Sequence, residues 1–316
     1  MPNYQGVWSL STHYQNRTGW PTFVAGLALY SGGYPGTRTN QIQLIDIGSG
    51  ADATDFGDLL AANLNNAGCG SSTRAVTAGG NPNPATDTIQ FSTFSSAGNA
   101  TDFGNLTAAR QALAGLSNST RGIFSNGYYP GSGGGVNIID YVTIASAGNA
   151  SDFGNTTTGT EGTNGLASTT RGVISNGFGT DDNRIDYITI ANTGNATDFG
   201  DLSVTRVKGG ATSSSTRGLF AGGTEQSTKV NVIDFITIAS TGNASDFGDL
   251  TVGKGGCPGA NNSVTAIFMG GKPAGSRIKS IDKVTIASTG NASGFGDLLI
   301  PVNNGASSSS AHGGLS

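Results

Sequence analysis

TGNASDFGDL, residues 241–250, is written again as TGNATDFGDL from 193, AGNASDFGNT from 147, AGNATDFGNL from 97, TGNASGFGDL from 289 and, more loosely, GADATDFGDL from 50. Between the phenylalanines of these copies, Phe56, Phe103, Phe153, Phe199, Phe247 and Phe295, the intervals are 47, 50, 46, 48 and 48 residues. A period in that range marks a solenoid or a propeller. Length alone would suggest two domains, but six copies of one unit make one.

Each unit reads as four short strands. In the unit ending at residue 250, GGATSSST (209–216) is small and polar, and RGLFAGG (217–223) is apolar and ends in a glycine pair. NVIDFITIAS (231–240) is β-branched, DFGDLTV (246–252) closes the unit, and turn chemistry separates the segments. Four strands per unit describe a propeller blade. The expected fold is all-β: a single six-bladed β-propeller of four-stranded blades over residues 22–316. The recurring phenylalanine is expected to fill the gap between blades, each ring contributing about 1.5–3 kcal/mol by burial.

The chain ends suggest how the ring closes. LALYSGG (27–33) matches LFAGG (219–223) without a small-polar strand before it, and PVNNGASSSSAHGGLS (301–316) matches the missing strand. N- and C-terminal strands are therefore expected to share one blade, which removes an open sheet edge. Residues 1–21 form an arm outside the repeats and hold both tryptophans, Trp8 and Trp20. Such anchoring residues suit docking on another protein; a strap across the chain's own propeller is the alternative.

Charged residues are 11% of the chain and the formal net charge is −4, so there is no basic stripe for nucleic acid. No apolar run approaches the roughly 18 residues of a membrane span. The opening MPNYQGVWSLSTHYQ has neither a basic region nor an apolar core, so no secretory signal is expected. On that reading the sequons at Asn99 and Asn243 recur because a turn recurs. Cys69 and Cys257 fall in units two steps apart in a ring of six, too far for a disulfide.

Catalytic signatures are missing from the repeat body. There is no HExxH, no Walker loop and no paired CxxC; the histidines are His13 and His312, both near termini and expected at the surface. No enzyme activity, cofactor or metal is expected. Asp246 and Asp249 beside Asn243 would suit calcium, but Gly294, Asn105 and Asn155 replace these carboxylates in other units, which favours turn-closing hydrogen bonds. Arg74, Arg121, Arg171 and Arg217 form one column of the repeat. Asp87, Asp140, Asp186 and Asp234, with Asp282 and Asp46, form another, and the two columns suggest a repeated structural ion pair. The Ser/Thr runs at 168–170, 213–216 and 307–310 are expected in the innermost strand, lining a central channel.

Loops within the one chain differ in their variability. The turns between third and fourth strands are nearly identical, whereas the loops between second and third strands all differ, and in an antiparallel blade these lie on opposite faces. Recognition surfaces concentrate on loops held by a rigid scaffold. Tyr34, Tyr128, Tyr129 and Phe178 offer apolar platforms there, with Asp181, Asp182, Arg184, Lys272 and Arg277 as polar partners, a mixture that suits sugar rings. Drift of solvent-exposed loops is the competing explanation.

The glycine pairs Gly32-Gly33, Gly79-Gly80, Gly222-Gly223 and Gly270-Gly271 resemble those of Kelch/galactose-oxidase-type β-propellers. The phrase GNATDFGDL with STRG and the opening GVWSLSTHYQ resembles propeller proteins of marine tailed bacteriophages. Units 3 and 4 depart from it with SNG at 125–127 and 175–177. The resemblance covers essentially the whole chain. It implies a virion-associated structural protein present in many copies: a tail or tail-fibre component contacting a host surface glycan, with the arm docking on other virion proteins, or a head decoration or connector without a ligand. A carbohydrate-acting enzyme of galactose-oxidase type would need two His and two Tyr at copper, and the terminal histidines supply no such set.

Overall fold

Alternating β-branched residues between turns fold each unit as an antiparallel meander, and six meanders stand around a common axis. A computed structural model describes residues 26–178 and 183–315. The N-terminal arm with Trp8 and Trp20, together with Asp181 and Asp182, lies outside the described residues. From the axis outward, blade 2 runs Ala67–Gly70, Arg74–Ala78, Thr88–Thr93 and Thr101–Asn105; blade 3 runs Ala114–Ser117, Arg121–Ser125, Gly134–Thr143 and Ser151–Thr160. Blade 4 is Asn164–Ala167, Arg171–Ser175, Arg184–Thr189 and Thr197–Asp201; blade 5 is Gly210–Ser213, Arg217–Ala221, Val232–Thr237 and Ser245–Asp249; blade 6 is Gly259–Asn261, Thr265–Met269, Ser280–Thr285 and Ser293–Asp297. Blade 1 joins the two ends of the described chain: Ala306–Ser309 is its innermost strand, followed outward by Leu27–Ser31, Thr39–Asp46 and Thr54–Asn63. The six-bladed propeller and its shared closing blade are as the repeats led us to expect. No helix of the described residues is long and apolar enough to cross a membrane.

The core is divided among the blade interfaces. One cluster joins Ile89, Phe103 and Leu106 of blade 2 to Phe124, Val142 and Ile144 of blade 3. Equivalent clusters set Phe153 against Ile188 and Ile190, Phe199 against Ile236 and Ile238, and Phe247 against Val284 and Ile286. Phe56 packs with Ala75 and Phe94 of blade 2, and Phe295, only partly buried, completes the contact from blade 6 to Ile45 and Ile47 of blade 1. Every interface of the ring thus holds one phenylalanine of the repeated phrase.

The rest of that phrase is a clip. The turn of each blade reaches back to the fourth strand of the blade before it. Gly242 N–H donates to the Phe199 carbonyl (2.8 Å), Asn243 Oδ1 accepts from Asp201 N–H (3.1 Å), and Ala244 N–H donates to the Asp201 carbonyl (2.7 Å). The same three bonds recur at Gly98-Asn99-Ala100, Gly148-Asn149-Ala150, Gly194-Asn195-Ala196 and Gly290-Asn291-Ala292. At the closing interface Asp52 and Ala53 make the last two of them, to Asp297. The glycine after the phenylalanine is required at this contact. Gly57, Gly104, Gly154, Gly200 and Gly248 have φ of 142–148°, and a Cβ on any of them would strike the main chain of the neighbouring turn. The asparagines of the repeated sequons are therefore main-chain acceptors, and Asp246 Oδ1 closes its own turn by accepting from Gly248 N–H.

The expected pairing of the Arg and Asp columns is overturned. Arg121 donates instead to the Ile190 carbonyl of the next blade (2.7 Å) and lies 4.5 Å over the Tyr141 ring, whose edge meets Phe153. Arg74 over Phe91, Arg171 over Tyr187 and Arg217 over Phe235 repeat the stack, each with a carbonyl of the next blade as acceptor. A guanidinium on an aromatic face gains about 0.5–1 kcal/mol. Carbonyl acceptors satisfy its donors without a carboxylate.

The aspartates look the other way, to the preceding blade. Arg110 pairs with Asp140 at 2.7 Å, Arg206 with Asp234 at 2.6 Å and Lys254 with Asp282 at 3.2 Å, all essentially without solvent exposure. Register also corrects two members of the column: the residues equivalent to the others are Gln90 and Gln43, while Asp87 precedes its strand and Asp46 ends one. Gln90 accepts from Leu60 N–H and Gln43 from Leu299 N–H, as Asp140, Asp186 and Asp234 accept from Thr107, Thr157 and Ser203 N–H. The opposing column, seven residues after each phenylalanine, reads Asn63, Arg110, Thr160, Arg206, Lys254 and Val302. Cations there face Asp, and Asn63 and Val302 face Gln. Thr160 is the exception, since it leaves Asp186 with hydroxyl and amide donors from Thr157; burial pushes that carboxyl above the ordinary carboxylate range.

Candidate functional site

Two openings follow from the strand order: the axis itself, and the face on which second-to-third strand loops meet the connections between blades. The axis is constricted by backbone. At one equivalent register position of the innermost strands stand Gly68, Gly115, Gly165, Ala211, Gly259 and Ser307. A Cβ on Gly68 would fall on the Ser307 main chain and one on Gly115 on Gly68. This ring separates an upper funnel of about 100 Å³ from a lower one of about 80 Å³. The small residues are therefore demanded by close packing of six strands. Only part of the Ser/Thr runs lies here: Ser307–Ser309 and Ser213 are in innermost strands, but residues 168–170 and 214–216 form turns, where Ser168 and Ser214 accept from the N–H of Arg171 and Arg217.

His312 closes the lower funnel and is half-buried, contrary to the surface position expected of it. Its Nδ1 accepts from Gly314 N–H, so Nε2 carries the proton and donates to the Gly70 carbonyl at 2.9 Å. Burial pushes its pKa down, which keeps the ring neutral. Cys69 and Cys257 are separate buried thiols, and burial pushes Cys69 up to about 12. Among the described residues no three His, Cys, Asp or Glu side chains converge as a metal cluster.

The variable face is organised around the upper funnel. The first residue of each second-to-third loop pairs through its main chain with the preceding connection: Tyr34 with Asn303, Tyr128 with Gln111, Phe178 with Glu161, Thr224 with Val207 and Lys272 with Gly255, while Asn81 N–H donates to Leu64. Tyr34, Asn81, Tyr128, Phe178, Thr224 and Lys272 therefore form one ring of equivalent positions around the mouth. Four of the residues singled out from the sequence belong to it. Tyr34 is capped by Arg277, whose guanidinium lies 4.4 Å over the ring and donates to Asn303 Oδ1. Tyr129 sits beside Tyr128 in a short hairpin with Gly134 and Gly135, and Arg184 turns aside to Thr157 and Thr158 of blade 3. Phe178 is 67% exposed.

Phe178 and Lys272 share a cleft of about 380 Å³ with two residues that the sequence reading missed, Lys208 and Lys229. The cleft spans blades 4 to 6 and is continuous with the axial mouth through Lys208, Gly256 and Asn304. The available signal was the distribution of lysine: all six lysines follow residue 207. No protein-family model matches the chain, and no curated protein matches it.

Proposed function

We propose that the chain is a non-enzymatic recognition propeller, carried as a structural protein in the tail or tail fibre of a bacteriophage particle, that contacts a host surface glycan through its variable face. The supporting observation is the ring of unlike residues at one equivalent position. Five equivalent main-chain bridges and, at Asn81, one main-chain hydrogen bond hold Tyr34, Asn81, Tyr128, Phe178, Thr224 and Lys272 around a mouth, which is how a rigid scaffold presents a composite surface. An exposed aromatic ring beside amides and hydroxyls suits the apolar face and hydroxyl groups of a sugar. The Kelch-like repeat and phage resemblance of the sequence support the particle assignment, with the arm docking on another virion protein.

Screening the purified chain and Phe178→Ala against an array of bacterial surface glycans tests this reading. Binding that the substitution weakens supports it. A stable protein that ignores every glycan but is retained on assembled particles would favour the alternative, a head decoration or connector protein without a ligand.

A further inference from the structure

We infer that the cleft over blades 4 to 6 is a binding site for an acidic saccharide, with Lys208, Lys229 and Lys272 receiving its carboxylate or sulfate group and Phe178 supporting its ring. This deepens the glycan-binding reading above and rests on it.

Three observations converge on this cleft. First, three of the chain's six lysines line it, in a protein whose net charge is −4. Second, these lysines have no described carboxylate within ion-pair distance, whereas Lys254 and Lys279 each have one. Lys229 donates only to the neutral Thr224 hydroxyl, at 2.8 Å. Glu161 also lines the cleft but pairs with none of the three. Like charges in one partly desolvated place oppose folding, and burial with the charges of Lys272 and Lys208 pushes the Lys229 pKa down. An anion would relieve that cost. Third, Lys208 occupies a left-handed position, φ 55°, that recurs in every connection and is otherwise filled by Asn65, Ala112, Gly162, Gly256 and Asn304. Glycine or asparagine is the less strained choice there. The conformation sets the lysine at the junction of cleft and axial mouth.

The neutral groups of the cleft define the rest of the ligand. Thr224, Asn303 and Asn304 supply hydroxyl and amide partners, and the exposed face of Phe178 supplies an apolar platform. A bare inorganic anion would use the ammonium groups alone. A sugar acid or sulfated sugar uses both sets.

Calorimetric titration of the full chain with an oligogalacturonate, a sulfated dextran oligomer and a neutral dextran of matched length tests the inference. We expect an acidic oligomer to bind, the neutral one to bind at least about tenfold more weakly, and each of Lys208→Ala, Lys229→Ala and Lys272→Ala to cost about tenfold, as expected for losing one charge-assisted hydrogen bond. Raising the salt should weaken binding, and Lys279→Ala and Lys283→Ala, elsewhere on the blade, should leave it unchanged. Which acidic oligomer binds distinguishes carboxylate from sulfate recognition. Acidic binding that ignores all three cleft lysines overturns the site. Equal binding of neutral and acidic oligomers that Phe178→Ala still weakens overturns the charge inference and leaves glycan recognition standing. Absence of binding to any saccharide overturns both. Melting temperatures of the lysine variants no lower than wild type exclude loss of folding as the cause.

Discussion

The two faces of the ring repeat equally well in backbone and very unequally in sequence. On one face, each turn clips the preceding blade with an asparagine or aspartate side chain as well as with main-chain groups, and a glycine must clear the approach. On the other, the equivalent contacts between loops and connections are made by main-chain groups, and side-chain bonds such as Arg277 to Asn303 are added in single units. Where a side chain forms the bond, only asparagine or aspartate stands there, and the phrase is copied six times. Where N–H and C=O suffice, side chains are left to vary, and Tyr, Asn, Phe, Thr and Lys occupy one position. Diversity of the mouth is a consequence of how that face is held together.

Substitutions can break or sharpen this contrast. The largest loss should come from the clip phrase itself: Phe199→Ala should cost about 3–5 kcal/mol by emptying an interface between blades, read from denaturant midpoints. Asp234→Ala, which strands a buried Arg206, should cost a similar or slightly smaller amount, about 3 kcal/mol. Copying the uncharged closing interface with Arg206→Val and Asp234→Gln should recover most of that loss, since Val302 faces Gln43 in the native ring. Asn243→Ala should cost about 1 kcal/mol, one side-chain hydrogen bond of the clip.

Asp186, which Thr160 leaves without a cation from the opposing column, should make stability depend on pH. Its folded pKa is raised chiefly by burial, so the native state holds the proton more tightly than the unfolded chain does. Stability is then greatest below the ordinary carboxylate pKa, falls as pH rises toward the raised value, and is level above it. Asp186→Asn should remove that slope and gain on wild type as pH rises above the ordinary carboxylate pKa, measured by thermal unfolding at each pH. Smallest of all, Phe178→Ala on the variable face should change stability by no more than about 0.5 kcal/mol. A loss comparable to that of Asn243→Ala would mean the mouth is structural and the contrast between faces is false.

Blade number, closure and the inter-blade phenylalanines were legible because a repeat aligns with itself: each copy supplies the comparison that one unit lacks. The ion pairs were not, for two physical reasons. Asp87 stands near the right place in the chain, but strand register makes Gln90 the equivalent of the other aspartates. The true partners, Arg110, Arg206 and Lys254, occupy a column that is charged in only half the units, so it carries no obvious periodic signal. The arginine column was visible yet its role was hidden, because aromatic faces and carbonyls of another blade satisfy it. The cleft was only half legible. Phe178 and Lys272 belong to conspicuously different loops, but Lys208, Lys229 and Lys272 come together through the curvature of three blades.

Because the innermost strand of blade 1 comes from residues 306–309 and its neighbour from 27–31, the last described strand to leave the ribosome must find one of the first. Until it does, the nascent chain is an open arc with an unpaired edge at one end and a loose strand at the other. A second copy offers the same edge, so that at high concentration the strand of one molecule competes to enter the blade of the next. Refolding at rising concentration should therefore divide between sealed monomers and head-to-tail, strand-exchanged polymers built from native contacts.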